Sequence, residues 1–219
     1  MPIMKDESQA ISKLIVPLLK EKFFVKKSVR VDRLYQKLKT EGALSPEEIS
    51  IKHPFHPDID VLFWDKEYSG EPSIYGVEVK YYRVREDAVY PNIYEGLGEA
   101  MMLLTFGVNH ASLWHLFDPE IPSEIITRYR DLTQNLVANM PINYRSMLVD
   151  ELSEMIPPPN ARALPKKGAE MVQETLRLLS QTMFINSVTL NLEENPILSN
   201  WDVKILRSLL KKAYRIVYK

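Results

Sequence analysis

The chain has 219 residues, 45% of them hydrophobic, a formal net charge of −1 and no cysteine. That length and apolar content are enough for one buried core, and the absence of thiols excludes disulfides and thiolate metal sites. No apolar run approaches the roughly 20 residues of a membrane span. The start carries no charged segment leading into an apolar stretch and cleavage site, so the sequence predicts a cytoplasmic protein with no membrane partner.

Taken in chain order, Asp6-Glu7-Ser8 opens a helical pattern through Ile11, Leu14, Ile15, Leu18 and Leu19, giving helix 6–21. Phe23-Phe24-Val25 begins a strand over 23–31, and residues 32–50 read as helical or irregular. Two apolar runs, 59–65 and 74–82, read as paired strands across a loop containing Ser69-Gly70-Glu71-Pro72. Helix 92–106 and strand 111–117 follow, closed by Asp118-Pro119. After Pro122-Ser123 a helix carries Ile125, Ile126, Tyr129, Leu132, Leu136 and Val137, and Met147-Leu148-Val149 reads as a further strand. Pro157-Pro158-Pro159-Asn160 is the strongest break, because successive prolines exclude helix and interior strand. Beyond it lie helix 166–182, a short strand 184–192 and a basic helix 201–217. Mixed strands and helices predict an α/β fold with a central sheet flanked by helices.

Charge is segregated. Residues 1–40 carry a net +6, residues 41–160 a net −12 and residues 161–219 a net +5. Basic ends around an acidic middle suit a nucleic-acid enzyme whose termini form phosphate-facing walls. The alternative is that Lys20, Lys22, Lys26, Lys27, Lys211 and Lys212 are solvated faces of amphipathic elements.

The acidic middle holds the chemistry. Asp60 lies inside the apolar run Ile59, Val61, Leu62, Phe63, Trp64, where a carboxylate is costly to bury without a cation or donors. Eighteen residues later comes Glu78-Val79-Lys80 at the end of another apolar run. On a strand, positions i and i+2 share a face, so Glu78 and Lys80 project together while Val79 enters the core. Two carboxylates and the Val79 carbonyl suit Mg²⁺ or Mn²⁺, and a neighbouring lysine can orient or deprotonate a water. The bland reading is an exposed Glu78–Lys80 ion pair worth at most about 1 kcal/mol. Asp202-Val203-Lys204 matches the same short pattern, but follows the helix cap Asn200. Positions i and i+2 of a helix stand about 200° apart and cannot converge on one ion. Zinc on the loop histidines His53 and His56 has no recognised spacing behind it; His110 and His115 read as packed or surface imidazoles.

These residues resemble the PD-(D/E)xK nuclease superfamily over residues 5–118. Glu7 sits where that superfamily has a glutamate on its first helix, and Tyr94–Leu104 with Ala111–Phe117 resembles its next helix and strand. The resemblance implies a restriction-endonuclease-like three-layer α/β/α core over 1–156. A mostly helical C-terminal extension, 157–219, is expected to pack on it within a single domain. It also implies a Mg²⁺- or Mn²⁺-dependent deoxyribonuclease. Asp60, Glu78 and the Val79 carbonyl would hold the ion, Lys80 would position the water, and Glu7 would assist directly or through water. Asp58, of the literal Pro57-Asp58 pair, is the alternative to Asp60. Glu7 is equally explained as an acidic first-turn residue that favours the helix dipole, and Glu95 and Glu99 read as a solvated helix face. Glu99…Leu103 stands where exonuclease-like members have Gln-x-x-x-Tyr, a departure that favours an endonuclease. Superfamily members act on DNA in repair, recombination, restriction and viral or mobile-element processing, and a homodimer is expected for cutting two strands. The second hypothesis is a non-catalytic nucleic-acid-binding or assembly protein that keeps the fold. The third is an interaction module using Leu206, Leu209 and Leu210.

Overall fold

The structure, a computed structural model, describes residues 4–53, 58–66, 70–84, 94–154 and 194–216. The first helical stretch is interrupted rather than continuous. α1 (Glu7–Ala10), capped by the Asp6 carboxylate accepting from Gln9 N–H at 2.8 Å, runs into a π-helical turn, Ile11–Ile15, and then α2 (Val16–Lys20). Pro17 is the cause: it has no N–H to donate and its ring crowds the carbonyl four residues back, so the helix widens just before it. Strand β1 (Phe23–Val29) ends two residues earlier than expected, and residues 32–50 resolve into α3 (Val31–Thr40) and the single turn α4 (Pro46–Ile49). Ser45 and Glu48 cap α4 reciprocally.

Strands β2 (Ile59–Asp65) and β3 (Ile74–Tyr82) match the two apolar runs. The predicted helix 92–106 is α5 (Leu97–Leu103) continued by a 3₁₀ turn, Leu104–Phe106; positions 92 and 93 lie outside the described residues. There follow β4 (His110–Phe117) and α6 (Ser123–Val137). β5 (Asn143–Leu148) is longer than the Met147–Val149 segment expected, and Val149 instead starts α7 (Val149–Glu154). The Pro157–Asn160 break, helix 166–182 and strand 184–192 fall outside the described residues. The last helix is α8 (Trp201–Tyr214).

The strands form one mixed sheet in the order β1-β2-β3-β4-β5. β2 is antiparallel to both its neighbours, β1 and β3, whereas β3, β4 and β5 run parallel through the crossover helices α5 and α6. Alternation along the strands feeds two cores. Val61, Phe63, Val77, Val79, Trp114 and Leu116 pack under Ala10, Ile11, Leu14, Ile15 and Leu19, joined by Val149 and Leu152 of α7. The opposite face, with Leu62, Trp64, Ile74, Ala111 and Leu113, is covered by α3, α5 and α8. Leu206, Leu209 and Leu210 of α8 are fully buried there. That removes them as a surface for an interaction module. Gly107 lets α8 come this close: it has φ 76°, and a Cβ on it would stand 2.5 Å from Arg207 Cβ. Among the described residues no helix is long and apolar enough to cross a membrane.

Candidate active site

Register places the site. The β2–β3 ladder ends at Val61 and Val77, so the next facing residues are Asp60 and Glu78. There the strands part, and the Asp60 side chain takes over from the backbone: the Val79 N–H donates to Asp60 Oδ2 at 2.9 Å. β1 is irregular at the same level. Ser28, between the paired Lys27–Val61 and Val29–Ile59, faces Asp60 and has φ 49°, a left-handed conformation rare for a side chain in a strand. Backbone strain of this kind concentrates at functional positions.

Glu78 and Lys80 project together toward α5, as strand alternation requires. Lys80 Nζ lies 2.7 Å from Glu78 Oε1 and 2.9 Å from Glu99 Oε2. The Glu78 side chain is only 4% exposed and that of Lys80 14%, so this is not the solvated ion pair of the bland reading. Glu99 is therefore a member of the cluster, which corrects its expected place on a purely solvated face. Glu7 enters from the other layer, where the Tyr81 backbone N–H donates to its carboxylate and Lys80 and Asp60 act on its charge.

The carboxyls outnumber the cation. Burial, then the neighbouring Asp60, pushes Glu78 up to about 9. Burial also raises Asp60, against the opposing effects of the Val79 N–H and Lys80, and raises Glu7 to about 7. Glu99 is the exception, held low by Lys80 despite partial burial. Burial opposes the charge on Lys80, but Glu78 and Glu99 more than offset it and hold the ammonium protonated. An ammonium held that way donates hydrogen bonds and is a poor base. The charge on Asp60 disfavours a second charge on Glu78 beside it, so Glu78 is the member of the pair that keeps its proton.

The turn before α5 fixes the lysine. Gly96 has φ 78°, and a Cβ there would lie 2.9 Å from Lys80 Cε and from Leu113 Cδ1, so the lysine stem passes where a side chain would stand. His115, beside Lys80 in the β3–β4 register and 1% exposed, donates a ring N–H to the Glu95 carbonyl and so ties that turn to the sheet. Tyr144 Oη lies 3.2 Å from its Nδ1 and Tyr82 Oη 3.5 Å from its Nε2. Burial drives its pKa down to about 4. Gly96 and His115 carry no motif, and only their three-dimensional position marks them.

The remaining candidates stand elsewhere. Asp58 is drawn to Arg30 at 3.1 Å rather than into the cluster. His53 Nε2 is 3.1 Å from Thr105 Oγ1, and His56 lies outside the described residues. Asp202 and Lys204 are on α8, as their spacing predicts. Among the described residues no group of three or more histidine, aspartate or glutamate side chains converges tightly enough to enclose an ion. The narrower oxygen set of Asp60, Glu78 and the Val79 carbonyl, with Glu7 beside it, fits a hard cation by chemistry. The chain matches no family model, no curated protein and no solved structure with which it was compared.

Proposed function

We propose that the chain is a metal-dependent nuclease that hydrolyses DNA phosphodiester bonds as an endonuclease, on a restriction-endonuclease-like core. The observation that supports this reading is the imbalance around Lys80: Glu7, Asp60, Glu78 and Glu99 surround one ammonium, and two of them reach pKa values of about 7 and 9. Buried carboxyls in excess of their cation take up protons or a metal ion. A divalent ion held by Asp60, Glu78 and the Val79 carbonyl supplies positive charge opposite the negative charge that grows on a scissile phosphate. Lys80 Nζ, kept protonated, holds a water or a phosphate oxygen by hydrogen bonding. Glu7, whose carboxyl exchanges its proton near neutral pH, accepts the proton that the water gives up. Glu99 steadies Lys80, and the Gly96 turn sets its direction.

The test is incubation of the full chain with supercoiled, linear and branched DNA, with Mg²⁺ or Mn²⁺ and with chelator. Cleavage should require the divalent ion, and Lys80→Ala should lose turnover while keeping most of its DNA affinity. Full cleavage in excess chelator overturns the mechanism. A second reading, a non-catalytic nucleic-acid-binding protein, is favoured by the same Lys80 contacts, because Glu78–Lys80–Glu99 also pins β3 to α5. It predicts DNA binding with no cleavage under any divalent ion.

A further inference from the structure

A groove of about 290 Å³ lies on the α8 face of the sheet, beside edge strand β1. Three rings run through it: Phe24 and Tyr214 each pack on the buried Trp64, with centroids 5.7 Å away in both pairs. Phe24 is 47% exposed, so one face of its ring is open to solvent beside the covered Trp64. Lys26 Nζ stands 5.5 Å from the Tyr214 ring centroid, and Arg215 lines the other side. Among the described residues neither cation forms an ion pair and none of those lining the groove is acidic. The larger cavity, of about 470 Å³ against α8, differs on this point, because there Arg207 and Lys211 both pair with Glu71.

Arg215 adds a backbone observation. It ends α8 with φ 54° in the left-handed position that glycine ordinarily takes, and the Ile216 N–H closes the cap on the Lys211 carbonyl at 2.9 Å. Keeping an arginine there works against the intrinsic preference of the backbone.

The geometry points to a binding site for single-stranded nucleic acid, in which a base stacks on Phe24 and its flanking phosphates meet Lys26 and Arg215. Exposed ring faces with unpaired cations bind strands whose bases are free. In a duplex those faces are covered by their neighbours. Asp60 and Trp64 share a face of β2, so the groove begins roughly 13 Å along the strand from the carboxylate cluster. This inference goes beyond the nuclease reading and does not need it.

The experiment is fluorescence anisotropy of a labelled thymidine 12-mer with the full chain in excess chelator, so that binding is read without cleavage. Phe24→Leu, which keeps the apolar packing but removes the ring, should weaken binding about tenfold. Arg215→Gly should make the log–log salt slope less negative by about 0.7, the value for one single-strand phosphate, without lowering the thermal midpoint. Binding of Phe24→Leu within twofold of wild type overturns the site, as does an equal dependence on Phe24 for a blunt duplex. A chain that binds the strand but never cuts DNA sinks the nuclease reading alone. One that cuts DNA but ignores Phe24→Leu sinks the groove alone.

Discussion

Asp58 and Asp60 are two residues apart, and the fold gives them different surroundings. Asp58 pairs with Arg30 on a partly exposed loop, while Asp60 is half-buried beside Glu78 and accepts from the Val79 N–H. Asp60→Asn should therefore abolish divalent-dependent cleavage and Asp58→Asn should leave a measurable rate; the reverse order in a cleavage assay transfers the role to Asp58. His115 sets a pH dependence of stability. Its pKa falls from 6.5 unfolded to about 4 folded, so the unfolded chain binds more protons and stability is lost as pH drops from 6.5 toward 4. The full effect is about 3 kcal/mol. Glu7 and Glu78, raised on folding, act in the opposite sense, and their cost grows as pH climbs from 4.5 through about 7 and about 9. The histidine contribution is isolated by comparing urea midpoints of wild type and His115→Gln, whose amide can still donate to the Glu95 carbonyl. The gap between the two should narrow or reverse in favour of the variant between pH 7 and pH 5.

At the scale of elements, α8 is held by charge as well as by its leucines. Lys212 reaches buried Glu48 and the Ala43 carbonyl, Ser208 Oγ donates to Glu48 at 2.8 Å, and Lys211 pairs with Glu71. These lysines tie α8 to α4 and to the loop before β3, rather than standing free as a phosphate wall. Lys212→Glu should cost about 2 kcal/mol by setting a like charge against a buried carboxylate, read as a lower thermal midpoint. An unchanged midpoint overturns the cross-link. β2 and β4 were legible in the sequence because each is a mostly apolar run closed by aspartate, and β3 because Val77, Val79 and Tyr81 alternate with Glu78 and Lys80. α7 was not, since Val149-Asp150-Glu151-Leu152 spans too little for a period to show. Of the site, Asp60, Glu78 and Lys80 could be read from strand spacing. Glu99 could not, because its partner lies nineteen residues earlier on another element and its own helix pattern is that of a wet face.

Across the whole molecule, the cluster draws side chains from both layers and from the strand where the sheet changes from antiparallel to parallel pairing. Divalent binding should then displace protons shared among groups from different elements. The rise in thermal midpoint on adding Mn²⁺ should be larger at pH 8 than at pH 6 and should vanish in Asp60→Asn. An equal rise at both pH values argues against ligation by Glu78. Duplex affinity should fall with salt by a log–log slope near −0.9 for each phosphate neutralised, and sedimentation should report whether two copies assemble. One contribution to this convergence is a matter of phase. A π-turn adds one residue to an α-helix, and at 3.6 residues per turn that rotates everything before Ile11 by about 100° relative to α2. Glu7, ten residues ahead of Pro17, is thus aimed by a winding fault and not by its own neighbours. Removing one residue from Ile11–Ile15 together with Pro17→Ala would rewind the helix and swing the carboxylate off its bearing, leaving the hydrophobic seam from Val16 onward in place.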